Sequence, residues 1–547
     1  MNNLSLLLTV TSVALAQLSN ISAQDGTAFA LKYGYPLLAF ERLAQPVIQS
    51  DGVNTISHKR EPPNADFRDV VRPNVDTLYS TAIYDLSHND VVVNVPVVPD
   101  DQYALFSFYD PYGNNFASIR AESGTSNGLY RINLRKNNEN PGIGTNDKGN
   151  YRGFILSPTT YGTLLVRWLL NSTNLEDIHG YQDSTYLRNL TNSSAGKVSP
   201  YLVDLLETSN SVSPAENVLD LVAAFAAIDE PFVTADSGTV RSNLAAAGIS
   251  QGSWTRLNEV DLVQANKSAR SSAVRAAVDE TLVLNNGWSQ PNPDLMGFYG
   301  TNYAFRMAVA SEGYLAFRQE FALYPSWVNG SGVALAGDTF NLGPDESLLY
   351  TFSGKPPLNA EGFWSITGYE GDYLIPNPQS TCALGDRSNI TYPDGSRIYS
   401  SGARSRSRSN NSMSNEQFQI LIQPADVVPP ANWTSNWLPG PVGGGDMSAL
   451  LRWYSAQRSL VNGSYAYPVV TRQFAFRNQN STGTSGNGTV ITTGANSTST
   501  CTGSANTRCP YATATSPVPY TGLAAQSYAP LLSSTALIAA LVIYTAL

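Results

Sequence analysis

The stretch VVRPNVDTLYS at residues 70–80 gathers an amide, a carboxylate and a phenol just where an apolar run is interrupted. Asp76 reads as a candidate general acid or base, and Tyr79 as a candidate phenolic donor at a strand end facing a cleft. The same residues have a purely structural use. Pro73 fixes φ, and Asn74 and Asp76 can accept backbone N–H groups in an Asx turn that leads into a strand. Both readings stay open on sequence alone.

Other chemistries find less support. The histidines His58, His88 and His179 lack ligand spacing and the three cysteines form no C-x-x-C pair, so no metal site is expected. GTSNG at 124–128 matches the nucleophile pattern G-x-S-x-G, which requires a strand before it and a helix after it. LYRINLR follows and reads as a strand, so GTSNG is expected to be a hairpin loop. No P-loop or dinucleotide fingerprint occurs, and no cofactor is expected. Asp76, Asp85 and Asp110, with Glu370, Asp372 and Asp386, include pairs that glycoside hydrolysis could use at a separation of ~5–10 Å. The 29 Tyr and 8 Trp include potential stacking platforms for sugars, although most are expected in the core or on sheet faces. Cys382 reads as a packed thiol, and ARSRSRSN at 403–410 as a solvated insertion.

The bulk composition narrows the class. A chain of 547 residues has room for two or three domains, and 42% hydrophobic content suits a globular fold. Only 14% of residues are charged, and Asn, Ser, Thr, Gly, Pro and Tyr take their place, as in secreted, β-rich proteins. A net charge of −10 argues against a nucleic-acid partner, which would need a basic face.

Both ends read as addresses. Residues 1–16 carry the apolar run LSLLLTVTSVALA and a small-x-small cleavage pattern, as a signal peptide does. A Ser/Thr/Gly/Asn-rich stalk at 478–522 precedes a hydrophobic end at 523–547, the pattern of a GPI attachment signal, with Ser516 and Gly522, or Ala514, as candidate attachment residues. Cys501 and Cys509 can close a small disulfide within this region. Sequons in the body begin at Asn171, Asn189, Asn192, Asn266, Asn329, Asn389, Asn410, Asn432 and Asn462. These features imply a glycosylated ectodomain on the cell surface, joined to the membrane through a GPI lipid.

The elements that must position Asp76 follow from periodicity. A helix is expected over residues 25–45, then strands from Thr77 to Leu156, giving an N-terminal β domain at 25–158. Helical spacing at Leu164–Leu170, Tyr201–Leu206, Val218–Ile228, Val260–Leu284 and 299–321 implies a helical linking region at 159–325. Strands return in a C-terminal β domain at 326–477, with Asp394-Gly395 as a hairpin turn.

Residues 70–119 resemble the N-terminal member of a tandem pair of domains of unknown function found in bacterial cell-envelope and secreted fungal proteins. PPLNAEGFWSITGYEGDYLIPNPQSTCALGDRSNITYPDGS and FQILIQPADVVPPANWTSNWLPGPVGGGDMSALLRWYS resemble the C-terminal member. The resemblance implies an α+β fold of two antiparallel β-sandwich-like domains linked by a helical region, without a settled activity. It singles out Asn74, Asp76, Thr77, Tyr79, Trp364, Asp386, Asn436, Trp437, Arg452 and Tyr454, and adds His58, where similar proteins show a histidine. The candidate catalytic set is therefore His58, Asp76 and Tyr79, and the candidate ligand-binding set is Asn74, Asn436, Trp437 and Arg452. A hydrolase acting on wall carbohydrate or a small ester, and a non-catalytic module binding cell-wall polysaccharide or another small ligand, both fit these residues.

Overall fold

The strand Thr77–Asp85 is buried along its whole length, which is why TLYSTAIYD lacks the alternation of a half-exposed strand. The computed structural model describes residues 21–67, 72–122, 124–136, 139–145, 150–171, 173–190, 199–207, 213–327, 339–399 and 417–477. All of these fall in one compact unit. The segments expected as signal peptide and stalk, the latter with Cys501 and Cys509, the attachment candidates, and Asn192, Asn329 and Asn410 lie outside the described residues.

Thr77–Asp85 pairs antiparallel with Ile56–His58 on one side and Tyr161–Leu169 on the other. Ala104–Tyr109 and Asn115–Arg120 complete a five-stranded sheet. A second five-stranded sheet runs in the order Leu187–Asn189, Val91–Val95, Gly128–Leu134, Gly153–Ser157 and Gly142–Thr145, with one parallel pair between Gly128–Leu134 and Gly153–Ser157. Leu78, Phe106 and Trp168 from the first sheet share a core cluster with Val93, Ile132 and Ile155 from the second.

Two sequence expectations change here. The run Leu164–Leu170, expected as helix, forms most of the strand Tyr161–Leu169 in the middle of the first sheet. Both of its faces are covered, and periodicity cannot separate such a strand from a buried helix. The segment 299–321 is helical only at Tyr303–Glu312. Gly313 ends that helix, and Leu315 then takes φ 65°, a left-handed turn that no continuing helix contains.

The helix expected at 25–45 runs from Ala23 to Asp51, and the Ser22 hydroxyl caps it by accepting the Asp25 N–H at 3.0 Å. It packs on helices Pro214–Ala226, Ser237–Ala246, Leu262–Asp279 and Tyr303–Glu312 in one apolar cluster. Gly26 and Gly34 allow close approach: a Cβ at Gly26 would meet the Ala246 Cβ at 2.7 Å, and one at Gly34 the Val222 Cβ at 2.8 Å.

In the C-terminal region, Ala322–Leu323, Gly445–Ala456, Leu358–Glu370 and Tyr373–Leu374 form an antiparallel sheet, with Ala383–Gly385 added on Leu358–Glu370. A second sheet orders Trp437–Gly440, Phe418–Pro424, Glu346–Phe352 and Val469–Phe474. Trp364, Trp453, Phe352 and Phe418 from both sheets share one cluster. A smaller cluster joins the N- and C-terminal regions, with Tyr103, Leu105 and Leu169 against Phe363 and Tyr454. The fold is α+β, built on several largely antiparallel sheets, with no closed barrel among the described residues.

Candidate functional site

The site begins at Arg72, whose φ of 49° places a non-glycine residue in the left-handed region directly before a proline. Its N–H donates to the Asp372 carbonyl at 2.6 Å, so contact with the C-terminal region holds this conformation. The Pro73 carbonyl accepts from the Tyr369 hydroxyl at 2.9 Å. The Asn74 side-chain oxygen accepts the Asp76 N–H at 2.8 Å, closing the Asx turn anticipated from the sequence. The Asn74 amide nitrogen lies 3.0 Å from both the Tyr79 and the Tyr454 hydroxyl. Arg452 extends the network, donating to the Thr367 hydroxyl at 2.9 Å and the Tyr369 hydroxyl at 2.7 Å.

Asp76 directs its carboxylate across the domains. Only 2% exposed, it accepts from the Ser365 hydroxyl at 2.6 Å and forms an ion pair with Arg387. Arg387 also reaches Asp386 at 3.0 Å and lies 4.9 Å from the Phe363 ring centre. Burial alone would lower the guanidinium pKa, but Asp76 and Asp386 outweigh it and hold Arg387 above its ordinary value. Two carboxylates thus share the Arg387 guanidinium, and the buried Arg452 guanidinium also lies within electrostatic reach of Asp76.

The group faces a cleft of about 600 Å³. Asn64, Asp66 and Val75 form one wall, and Asn377, Cys382 and Ser388 another. Cys382 is free and half-buried, and burial pushes its thiol pKa up, which keeps it neutral at neutral pH.

Other candidates sit elsewhere. His58 is not among the residues lining this cleft. Its Nδ1 lies 2.7 Å from the Ser80 hydroxyl, which also accepts from the Trp168 indole at 2.9 Å. Burial, followed by the nearby Arg60 charge, pushes the His58 pKa down. Tyr79 is buried with its hydroxyl at Asn74. Asn436 is buried and donates to the Thr391 and Gln419 carbonyls at 2.9 and 2.7 Å. Trp437 is buried, with its indole N–H 3.4 Å from the Gln423 carbonyl. The network therefore unites Asn74, Asp76, Tyr79 and Arg452, while His58, Asn436 and Trp437 are held by other partners. GTSNG, expected as a hairpin loop, instead connects Asn115–Arg120 of the first sheet to Gly128–Leu134 of the second, and Ser126 there donates to the Arg120 carbonyl at 2.6 Å. Among the described residues, no group of three or more His, Cys, Asp or Glu is placed to hold a metal ion. Of the described sequon residues, Asn171, Asn189, Asn389, Asn432 and Asn462 are exposed and Asn266 is partly so.

Sequence reasoning missed Ser365 and Arg387. Both stand within motifs quoted for the resemblance, GFWS and ALGDRSNI.

Comparison with known proteins places this network across two matched regions. Residues 53–189 match the family described as "Protein of unknown function (DUF1254)", and residues 337–458 match "Protein of unknown function (DUF1214)". The chain thus carries two domains of unknown function in tandem, and the Asp76–Arg387 pair joins one matched region to the other. The crystal structure of the VPA0106 protein from Vibrio parahaemolyticus is similar in fold, with a TM-score of 0.54 and 16% identity, over 82% of this chain and 99% of that one. An uncharacterized protein from Burkholderia cenocepacia matches at a TM-score of 0.38 and 9% identity, over 85% of this chain and 98% of that one. No curated protein matches the chain.

Proposed function

We propose that this protein is a secreted glycoprotein held at the cell surface by a GPI lipid, and that its inter-domain cleft binds a hydroxyl-rich ligand of the carbohydrate class without turning it over. The observation that carries the binding reading is the Asp76–Arg387–Ser365 group at the cleft of about 600 Å³. Carboxylates accept from sugar hydroxyls, guanidinium and amide groups donate to them, and the cleft offers both kinds. In this reading, each domain is a β-sandwich whose two sheets pack face to face, the helices link the domains, and the cleft is rigid because the interface beside it is buried. Cell-wall polysaccharide is the natural partner at that location.

Binding is favoured over catalysis because each potential reactive group is already engaged. Both Asp76 oxygens have partners, Ser365 is buried, Cys382 is a neutral thiol, and His58 lies outside the cleft lining. One contact favours the hydrolase reading: the Ser365 hydroxyl stands 2.6 Å from Asp76, as a serine does beside a base.

The test is to incubate the purified ectodomain with wall glycans and small esters, following binding by calorimetry and product by mass spectrometry. Saturable glycan binding without product, lost in Arg387→Ala, supports the proposal. Product formed by the wild type and not by Asp76→Asn replaces it with the hydrolase. Absence of glycan binding refutes it. Release of the protein from intact cells by a phosphatidylinositol-specific phospholipase tests the anchor separately.

A further inference from the structure

A second hollow, of about 300 Å³, lies between the hairpin at Thr391–Arg397 and the short helical turn Ala431–Asn436. Tyr392, Pro393, Trp433 and Asn432 are among the residues that line it. Asn432 is exposed and opens the sequon Asn432-Trp433-Thr434, so the potential point of glycan attachment is part of the hollow's own wall. Trp433 is half-buried and packs on the Phe476 ring at a centroid distance of 4.9 Å, which fixes its plane.

The polar groups around this hollow largely satisfy one another. Asn436 takes the Thr391 N–H at 2.9 Å and donates to the Thr391 and Gln419 carbonyls, and the Thr391 and Ser435 hydroxyls meet at 3.3 Å. A guest would therefore find aromatic faces more readily than unpartnered hydrogen-bonding groups. The apolar C–H face of a pyranose suits such a surface, but stacking without new hydrogen bonds is weak for a free sugar. A covalently attached sugar differs, because its local concentration is set by the tether and association has no translational cost.

We propose that the first sugars of an N-linked glycan on Asn432 fold back into this hollow and lie against Trp433 and Tyr392. The hollow is then filled by the protein's own carbohydrate and is not a second ligand site. This inference rests on the reading of the chain as a secreted glycoprotein. The linkage comes from the host's transferase and a lipid-pyrophosphate-activated oligosaccharide. Asn432 Nδ2 forms the C–N bond to the anomeric carbon, the lipid pyrophosphate leaves, and the amide loses one proton.

The experiment uses the full chain expressed in a secretory host and released from the membrane. Glycopeptide mass mapping reads the occupancy of Asn432. Acrylamide quenching of tryptophan fluorescence is compared between wild type, Asn432→Gln and Thr434→Ala, and after trimming of glycans by an endoglycosidase, with the same set in a Trp433→Phe background. The expected result is an occupied Asn432, and quenching that rises when this sequon is lost in the presence of Trp433 but not in its absence. Thr434→Ala and the trimmed wild type keep the measurement available if Asn432→Gln folds poorly. A bare Asn432 beside occupied Asn389 and Asn462 overturns the inference and leaves the glycoprotein reading intact. Bare sequons throughout overturn both. An occupied Asn432 whose loss leaves quenching unchanged shows that the glycan extends into solvent, and also overturns it.

Discussion

The Asp76 carboxylate pairs with the Arg387 guanidinium across 311 positions of sequence, from the turn that opens one domain to a loop of the other. Asp76 is almost wholly buried, so removing its partner strands a charge away from water. Arg387→Ala should destabilise the protein by about 3 kcal/mol, the lower end of the range for breaking a buried pair, because Arg387 keeps partial solvent contact. Combining it with Asp76→Asn should restore part of that loss, since the carboxylate stranded by the first substitution is then replaced by a neutral amide. Urea unfolding of the two single variants and the double variant at neutral pH reads the coupling.

Asp110 gives a pH-dependent expectation. Burial raises its pKa to about 6, against hydrogen bonds from Asn114 and Tyr112 that act the other way. The folded state holds this proton more tightly than the unfolded state, so the stability it contributes is complete below the unfolded carboxylate value and is lost as pH rises toward 6. The loss amounts to ~3 kcal/mol. Asp110→Asn should therefore fall less in stability than the wild type between pH 4 and 6, by about 2 kcal/mol of that amount. Denaturation midpoints of both proteins across this range check the difference.

Two helical glycines should respond to alanine with opposite signs. At Gly180, in the helix Leu175–Ser184, a Cβ meets nothing within 4 Å, so Gly180→Ala should stabilise by up to about 1 kcal/mol. At Gly34 the same helical gain is opposed by a contact of 2.8 Å with the Val222 Cβ. Overpacking costs ~1–3 kcal/mol, so Gly34→Ala should be net destabilising by about 1 kcal/mol. Thermal unfolding of both variants decides the signs.

Cys382 reports on the cleft. With its pKa raised by burial, it should react with iodoacetamide more slowly than a free thiol at pH 7.5, and faster as the pH is raised. A ligand in the cleft should slow the reaction further, because Cys382 forms part of the wall. Mass mapping of the Cys382 peptide over time, with and without glycan, measures both effects.

The Asx turn at Asn74 and the hairpin turn at Asp394-Gly395 were legible in the sequence because each depends on neighbouring residues. The Asp394 carboxylate accepts the Ser396 N–H at 2.8 Å, and Gly395 holds φ 85°. Asp76 could be singled out by type, but its partner could not. Ser365 and Arg387 meet it only through tertiary packing, and no local pattern encodes a contact over that separation. The strand Tyr161–Leu169 was misread for a related reason: its character comes from the strands beside it rather than from its own spacing.

The helix Ala23–Asp51 buries its apolar stripe against partners as distant as Tyr303–Glu312. At a synthesis rate of roughly 5–20 residues per second, on the order of ten to fifty seconds pass between emergence of that helix and arrival of its last neighbour. Throughout this interval a greasy surface stands open on the nascent chain. A holding chaperone should engage it there, and substitutions that make the stripe more polar should lower the yield of folded protein less by weakening the finished fold than by changing what happens to the chain while it waits.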